Sequence, residues 1–248
     1  MMVLPRNREE RAVMFDGLIL GVGLGAGYAL QVFGLLTTTA SKSAFLTSTA
    51  IIWTPIFSFL LGREKPSKMV IAAIVIAIAG TLLLTHPYRD GVGFVIGDLL
   101  TLACAISFST YIICVDKARA HAIKVSESES AASLMITSNQ LVIASLGLIL
   151  MLPFGPLYIK IDTLTVSSIV YLALFATALT AYLQARYQDA VSPSVASVIY
   201  MLEPVVAALI GYFFLTERMG TEELFGALLI VLAVFVAQVR IPARFRAE

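Results

Sequence analysis

Residues 191–217 read VSPSVASVIYMLEPVVAALIGYFFLTE, and this stretch decides the fold class. It is apolar over a length sufficient to cross a bilayer, since a spanning helix needs about 20 residues. A carboxylate, Glu203, stands near its middle, immediately before Pro204. A charged side chain at that depth costs about 2.5–3.5 kcal/mol on insertion scales. Glu203 is therefore expected to face a protein interior or a wet cavity, where we look for the functional site.

The same stretch has an earlier counterpart in the chain. A gap-free shift of 153 positions aligns Leu30 with Leu183, Gln31 with Gln184, Ser41 with Ser194 and Glu64 with Glu217. Apolar positions largely match from there to about residues 79 and 232, which indicates an internal repeat. Pro55 and Pro204 fall four residues apart in this register, on one helical face. Each proline is expected to bend its helix.

Composition excludes a soluble globular domain. Of the 248 residues, 59% are hydrophobic and 13% charged, and the mean hydropathy is +0.91. Apolar segments long enough to span a membrane recur along the chain. They predict an all-α polytopic membrane protein with about eight transmembrane helices, at roughly 16–36, 43–61, 68–84, 94–115, 133–152, 166–187, 194–215 and 223–239.

The basic residues predict the orientation. With a cytoplasmic N-terminus, 13 of the 17 Lys and Arg residues lie on the inner side, a strong positive-inside bias. We therefore expect a multi-pass protein of the cell inner (cytoplasmic) membrane with both termini cytoplasmic. The inner set is Arg6, Arg8, Arg11, Arg63, Lys65, Lys68, Lys117, Arg119, Lys124, Arg186, Arg240, Arg244 and Arg246; the outer set is Lys42, Arg89, Lys160 and Arg218.

Segments one to three match segments six to eight, so the repeat period is five helices. An odd period gives the two copies opposite orientations, the plan of many secondary transporters. We predict a cytoplasmic tail at 1–15, an incomplete first repeat of three helices at 16–90, a second repeat of five helices at 91–240 and a tail at 241–248. Two helices are expected to be missing before segment one. Either the start is truncated or misassigned, or an eight-helix protein completes itself as a homodimer.

Several short motifs occur together along these segments. In the second copy they are Gly97-Asp98-Leu99-Leu100, Asp116-Lys117, Gln184, Leu202-Glu203-Pro204-Val205, Thr216-Glu217-Arg218 and a helix beginning Gly226-Ala227-Leu228; in the first they are Ala44-Phe45-Leu46-Thr47, Pro55 and Gly62-Arg63-Glu64-Lys65-Pro66. With these motifs the chain resembles the EamA-type members of the drug/metabolite transporter superfamily, from about residue 17 to 239. The resemblance implies ten helices in two inverted halves and transport, more often export, of small metabolites such as amino acids. In the family that it resembles, the two helices expected to be missing here normally help to line the substrate cavity.

Glu203 is the first candidate for a substrate-binding residue. It either binds a substrate amine or exchanges a proton, or it clamps backbone groups freed by the Pro204 kink. Tyr28 with Gln31, and Thr180 with Gln184, each lie one turn apart and share a helix face. For these pairs the alternative is interhelical packing, worth about 0.6 kcal/mol per bond. The remaining candidates for cavity lining are Trp53, Tyr111, Asn139 and Tyr200.

Other features are expected to carry no chemistry. Gly17, Gly21 and Gly25 form a small-residue ladder that predicts close helix packing. His86 and His121 are placed in turns on opposite sides of the membrane, so we expect no metal site. Residues 116–130 are predicted to be a mobile, solvated loop. We find no catalytic arrangement and no nucleic-acid patch, and expect no cofactor and no enzyme activity. The expected partners are the lipid bilayer and a small-molecule substrate; the other class that the sequence leaves open is a non-transporting membrane scaffold or an inactive remnant.

Overall fold

A computed structural model of the chain describes residues 8–89, 91, 93–151, 153, 161–214 and 219–238. The predicted motif at 216–218, Lys160 and the tails at 1–7 and 239–248 lie outside the described residues. The helices are α1 (Arg8–Leu35), α2 (Ala40–Ser48), α3 (Ala50–Leu60), α4 (Lys68–Thr85), α5 (Ile96–Val125), α6 (Glu129–Met151), α7 (Thr163–Tyr171), α8 (Thr180–Tyr187), α9 (Pro193–Tyr200), α10 (Leu202–Phe214) and α11 (Thr221–Gln238). A π-helical stretch, Leu172–Leu179, joins α7 to α8, and a 3₁₀ turn, Gln188–Ala190, follows α8.

The all-α fold class and the count of spans predicted from the sequence are confirmed. Within the described ranges there is no strand, and eight helical stretches are long and apolar enough to cross a membrane. Three of these stretches combine adjacent helical pieces: α2 with α3 (Ala40–Leu60), α7 with α8 (Thr163–Ala190) and α9 with α10 (Pro193–Phe213).

Two stretches predicted to lie outside helices are helical. α1 begins at Arg8, eight residues before the predicted start of its span, and α5 continues to Val125. The prediction of a loop at 116–130 is therefore wrong for residues 116–125 and 129–130, and His121 lies in a helix rather than in a turn. The physical reason is that Arg119, in the middle of this extension, is not solvated: its guanidinium is buried and bonds Asp189 at 2.8 Å.

The internal repeat extends to helix caps and helix ends. Thr39 caps α2 by accepting the N–H of Lys42, and Ser192 caps α9 by accepting the N–H of Val195. Both the capping residues and their donors are 153 positions apart. The same shift carries α4 (Lys68–Thr85) onto α11 (Thr221–Gln238) at both ends. Side-chain capping of the first turn fixes where a helix begins, so matched caps produce matched helices.

The residues divide into two compact units. The first unit holds α1 as far as Ala29 and the chain from Cys114 to Asp189; the second holds the chain from Leu30 to Ile113 and from Ala190 onward. In the second unit α4 and α11 pack closely through Gly80 and Gly226. A Cβ on Gly80 would meet Ile230, and one on Gly226 would meet Leu84, so the two helices run antiparallel. Repeat mates that run antiparallel are what an inverted repeat requires.

The glycine ladder predicted as a packing device packs α1 against α6 in the first unit. A Cβ built on Gly17 would lie 2.8 Å from the Cβ of Asn139, and one on Gly21 would lie 2.6 Å from the Cβ of Ile143. The next rung, Gly25, meets Ala144. The ladder prediction is confirmed, because each glycine lets the two helix backbones approach more closely than a larger side chain would allow.

Candidate functional site

The spans that contain Pro55 and Pro204 are each interrupted by one residue. Thr49 separates α2 from α3, with φ −62° and ψ −9°. Met201 separates α9 from α10, with φ −65° and ψ −8°. In each case the N–H bonds three residues back instead of four, Thr49 to the Leu46 carbonyl at 3.2 Å and Met201 to the Val198 carbonyl at 3.1 Å. We call these the first and second interruptions; they are one position apart under the repeat shift.

Both interruptions belong to the second unit, where α3 packs against α9. Ile51, just after the first interruption, lies in one buried cluster with Val198, Met201 and Val205, which surround the second. All four side chains are less than a tenth exposed. Discontinuous helices at corresponding positions of two repeats are the best sequence-level and structural pointer to the binding site of a secondary transporter.

The first interruption is bonded locally by hydroxyl groups. Because the N–H of Thr49 turns to Leu46, the carbonyl of Phe45 loses its helical donor, and the hydroxyl of Ser48 donates to it instead at 2.7 Å. The Thr49 hydroxyl donates to the Leu46 carbonyl at 2.6 Å. Further along, the carbonyl of Ala50 accepts the hydroxyls of Thr54 at 2.8 Å and Ser109 at 3.1 Å. This interruption is therefore electrically neutral and satisfied by its own neighbours.

The second interruption has a carboxylate instead. Glu203 is the second residue of α10, two positions after Met201, and its side chain is exposed. Within the part of the chain that the structure describes, no side chain or backbone group donates a hydrogen bond to it. Its repeat mate is Ala50. Pro204 occupies the first turn of α10, where the absence of an N–H is tolerated.

The N-terminus of α9 is held by Glu64, from the turn after α3. One Glu64 oxygen accepts the backbone N–H of Ser194 at 3.0 Å and the Ser194 hydroxyl at 2.5 Å. The Ser58 hydroxyl lies 3.4 Å from the same oxygen. A carboxylate at a helix N-terminus is stabilised by the orphan N–H groups and the helix dipole. α9 is therefore anchored at its first turn and ends at the second interruption.

Some of the residues of the second unit that were predicted to line a cavity lie close to an interruption, and others lie away from both. Tyr200 and Glu203 flank the second interruption, and Tyr200 is 38% exposed. Trp53 lies four residues after the first interruption, stacks on Phe57 with ring centroids 5.9 Å apart, and its indole N–H is buried without a partner. Gln31 is half-buried in α1, whereas Tyr111 is buried in α5. Pro55 lies within α3, and the bend predicted at each proline stays a prediction.

The predicted residues of the first unit are spread over three helices. Tyr28 is half-buried in α1, and Asn139 is half-buried in α6 beside Gly17. Thr180 is exposed and its hydroxyl donates to the Ala176 carbonyl of the π-helical stretch at 2.7 Å. The Gln184 amide donates to Gln188 at 2.7 Å, and Gln188 donates to Asp116 at 3.1 Å. In this unit, therefore, the described bonds of Thr180 and Gln184 are to neighbouring protein groups.

Sequence reasoning missed a buried ion pair in the second unit. Asp98 is fully buried and accepts the Lys42 ammonium at 2.6 Å, the N–H of Val95 at 3.0 Å and the hydroxyl of Thr38. The Lys42 ammonium also donates to the Gly93 carbonyl at 2.9 Å. The signal that could have found it is Lys42 itself, a charge in the first turn of an apolar helix, where burial requires a partner.

The first unit contains two further polar features that the sequence did not single out. Gln140, in α6, is fully buried, and neither of its amide atoms has a hydrogen-bond partner among the described residues. Asp16 of α1 lies 2.5 Å from Nδ1 of His121 in α5. Among the residues that the structure covers, no three His, Cys, Asp or Glu side chains form a group that could hold a metal ion.

The fold and the paired interruptions define a polytopic α-helical membrane protein built on an inverted repeat. Its sequence matches the model of the EamA-like transporter family at residues 2–86 and 95–238. The chain belongs to this family, and it is a multi-pass membrane protein of the transporter class.

Individual relatives support the same assignment. An uncharacterized transporter of Archaeoglobus fulgidus is 30% identical over 226 residues, which are 91% of this chain and 69% of that protein. The uncharacterized transporter YetK of Bacillus subtilis is 25% identical, covering 84% of this chain and 62% of its own length. A probable amino-acid metabolite efflux pump of Escherichia coli is 27% identical, covering 88% and 75%. A protein of known crystal structure, 18% identical, shares the fold with a TM-score of 0.73, covering 92% of this chain and 76% of its own.

Proposed function

We propose that the protein is a secondary transporter that exports small metabolites such as amino acids by alternating access. The observation that carries the proposal is the pair of interruptions, Thr49 and Met201, at corresponding places in two antiparallel repeats. Transporters with inverted repeats bind substrate where their discontinuous helices meet. The proposed substrate site therefore includes the second interruption with Glu203.

The composition of the spans favours a small zwitterionic or weakly polar solute. A phosphorylated substrate calls for Arg or Lys groups to pair with its charge. Lys42 lies in the first turn of α2 and is paired with Asp98. The efflux pump of Escherichia coli supports amino acids as the solute class and export as the direction. The cytoplasmic placement of both termini remains our proposal from the distribution of the basic residues.

Counterflow in proteoliposomes tests the function. Vesicles containing the full chain are loaded with an unlabelled amino-acid mixture and diluted into a trace of the labelled mixture. We expect faster labelled uptake than in protein-free vesicles, because a carrier exchanges internal for external solute. Absence of accelerated exchange under every solute gradient would refute transport and favour a non-transporting membrane component.

A further inference from the structure

The two interruptions share their backbone geometry but differ in charge. Position 50, after the first, is Ala, and its repeat mate, position 203, is Glu. The first interruption also has hydroxyls at Ser48 and Thr49, whereas the repeat mates are Met201 and Leu202. The local hydroxyl bonds of the first interruption therefore have no counterpart at the second, which has a negative charge in their place.

The exposed position of Glu203 is unusual for a membrane span. On α10, residues three and seven positions further along share its face, and both Val206 and Ile210 are 51% exposed. A carboxylate at one end of an otherwise apolar, exposed stripe is unfavourable unless a partner of opposite charge binds it. No described residue supplies that positive charge: among the described residues, Lys42 and Arg89 of the second unit pair with other carboxylates.

The backbone supplies carbonyl oxygens as further acceptors next to the interruption. α9 ends at Tyr200, so the last carbonyl groups of α9 lie at the interruption. The N–H of Met201 turns to Val198, which removes the helical donor from the Ser197 carbonyl. Unwound carbonyls and half-helix C-terminal ends are the groups that coordinate cations in secondary transporters.

We propose that the second interruption binds a monovalent cation, either an inorganic ion or the ammonium group of a solute, between the Glu203 carboxylate and the carbonyl end of α9. This inference rests on the proposed transport function in assigning the site to the solute path. The first interruption, neutral and bonded by its own hydroxyls, binds no cation.

The test measures cation binding to the purified full chain in lipid nanodiscs at fixed pH and ionic strength. The only Trp of the sequence, Trp53, lies on α3, which packs against α9, so its fluorescence reports on this region. The thermal unfolding midpoint is the second readout, since a ligand of the folded state raises it. Sodium chloride is compared with choline chloride to test for an inorganic ion. Methylammonium chloride tests for an ammonium group, and leucine is compared with N-acetyl-leucine, which lacks the ammonium.

We expect binding in the wild type that Glu203→Gln weakens at least about tenfold, the ratio that corresponds to about 1.4 kcal/mol. Glu127→Gln, the same change at an exposed position between α5 and α6, is the matched control and leaves binding within about twofold. Saturation by sodium alone identifies an inorganic ion; binding of methylammonium and leucine but not of N-acetyl-leucine identifies a solute ammonium. Either result supports the cation site.

The proposal is overturned if no cation changes either readout in the wild type, or if Glu203→Gln binds as tightly as the control. Should Glu203→Gln fail to fold, Glu203→Asp keeps the charge and must keep the cation response. Counterflow separates the two proposals. If wild type and Glu203→Gln transport equally and bind cations equally, the transport function is supported and the cation site is refuted. Cation binding that Glu203→Gln abolishes, in a protein without counterflow, removes the function and keeps the site.

Discussion

A single methyl group at position 226 tests the packing of α4 against α11, the antiparallel repeat mates. Gly226 is buried, and a Cβ there would lie 2.6 Å from the Gly80 carbonyl oxygen and 2.8 Å from the Leu84 nitrogen. Both are backbone atoms, so no side-chain rotation relieves the clash and the helices must separate. Overpacking of a close-packed core costs about 1–3 kcal/mol. Gly226→Ala is therefore expected to lower the free energy of unfolding by that amount.

The matched control is Gly147→Ala, in α6, where a Cβ would have no neighbour within 4 Å. At an unobstructed helix position Ala is favoured over Gly by about 1 kcal/mol. The same chemical change is thus expected to have opposite signs at the two sites. Unfolding in mixed micelles by titration with sodium dodecyl sulfate, followed by the loss of helical circular dichroism, measures both variants against wild type. If the Gly226→Ala variant unfolds at the same detergent fraction as the Gly147→Ala variant, the close approach of α4 and α11 is refuted.

Three further substitutions test the polar contacts by the same unfolding measurement. Asp98→Ala leaves the ammonium of Lys42 without its carboxylate and is expected to cost about 3–5 kcal/mol. Asp98→Asn removes the charge but keeps one acceptor oxygen, so an electrostatic role predicts a loss nearly as large, and a loss near zero would contradict that role. Glu64→Ala removes the acceptor of both Ser194 donors and should cost about 1.5–3 kcal/mol, with a loss below about 0.5 kcal/mol counting against the anchor. Gln140→Leu replaces a buried amide, which has no partner among the described residues, by an apolar side chain of similar size. The free energy of unfolding should be unchanged or higher by about 1–3 kcal/mol. A large loss of stability would show that the amide is hydrogen-bonded.

The spans and the repeat could be predicted from the sequence because both depend on local composition. About 20 apolar residues define each span, and the shift of 153 positions that aligns Ser41 with Ser194 also aligns the caps Thr39 and Ser192. A helix cap is a local interaction between residues three apart, so a repeated sequence repeats it.

The extension of α5 could not be predicted, because its cause is not local. Arg119 looks like a loop residue in a stretch of mixed charge, but its guanidinium is buried by Asp189 and Glu129, 70 and 10 positions away in the sequence. The contact of Glu64 with Ser194 is a similar case, at a separation of 130 positions. Glu64 and Ser194 both stood out as aligned positions of the repeat. The repeat alone does not predict that a residue of one copy binds a residue of the other.

The position of the interruptions was only partly predictable. The sequence drew attention to Pro55 and Pro204, which do not coincide under the repeat shift, whereas the interruptions at Thr49 and Met201 nearly do. Pro55 lies inside α3, and Pro204 lies in the first turn of α10. The two copies share a one-residue tightening of the backbone. In the first copy it is accompanied by hydroxyl groups at Ser48 and Thr49, and no proline marks its position in the sequence.

The difference in charge between the interruptions has a consequence for transport. A carrier must bind its solute strongly enough to load and weakly enough to unload. A carboxylate at each interruption would present two negative charges to a cationic group, and release of that group would be slower. With Glu203 at one interruption and Ala50 at the other, the proposed site would attract a cationic group through a single charge, because the hydroxyls of Ser48 and Thr49 already donate to backbone carbonyls. In the proposed site, the inverted repeat supplies matched backbone geometry, and the difference between Ala50 and Glu203 confines the negative charge to one interruption.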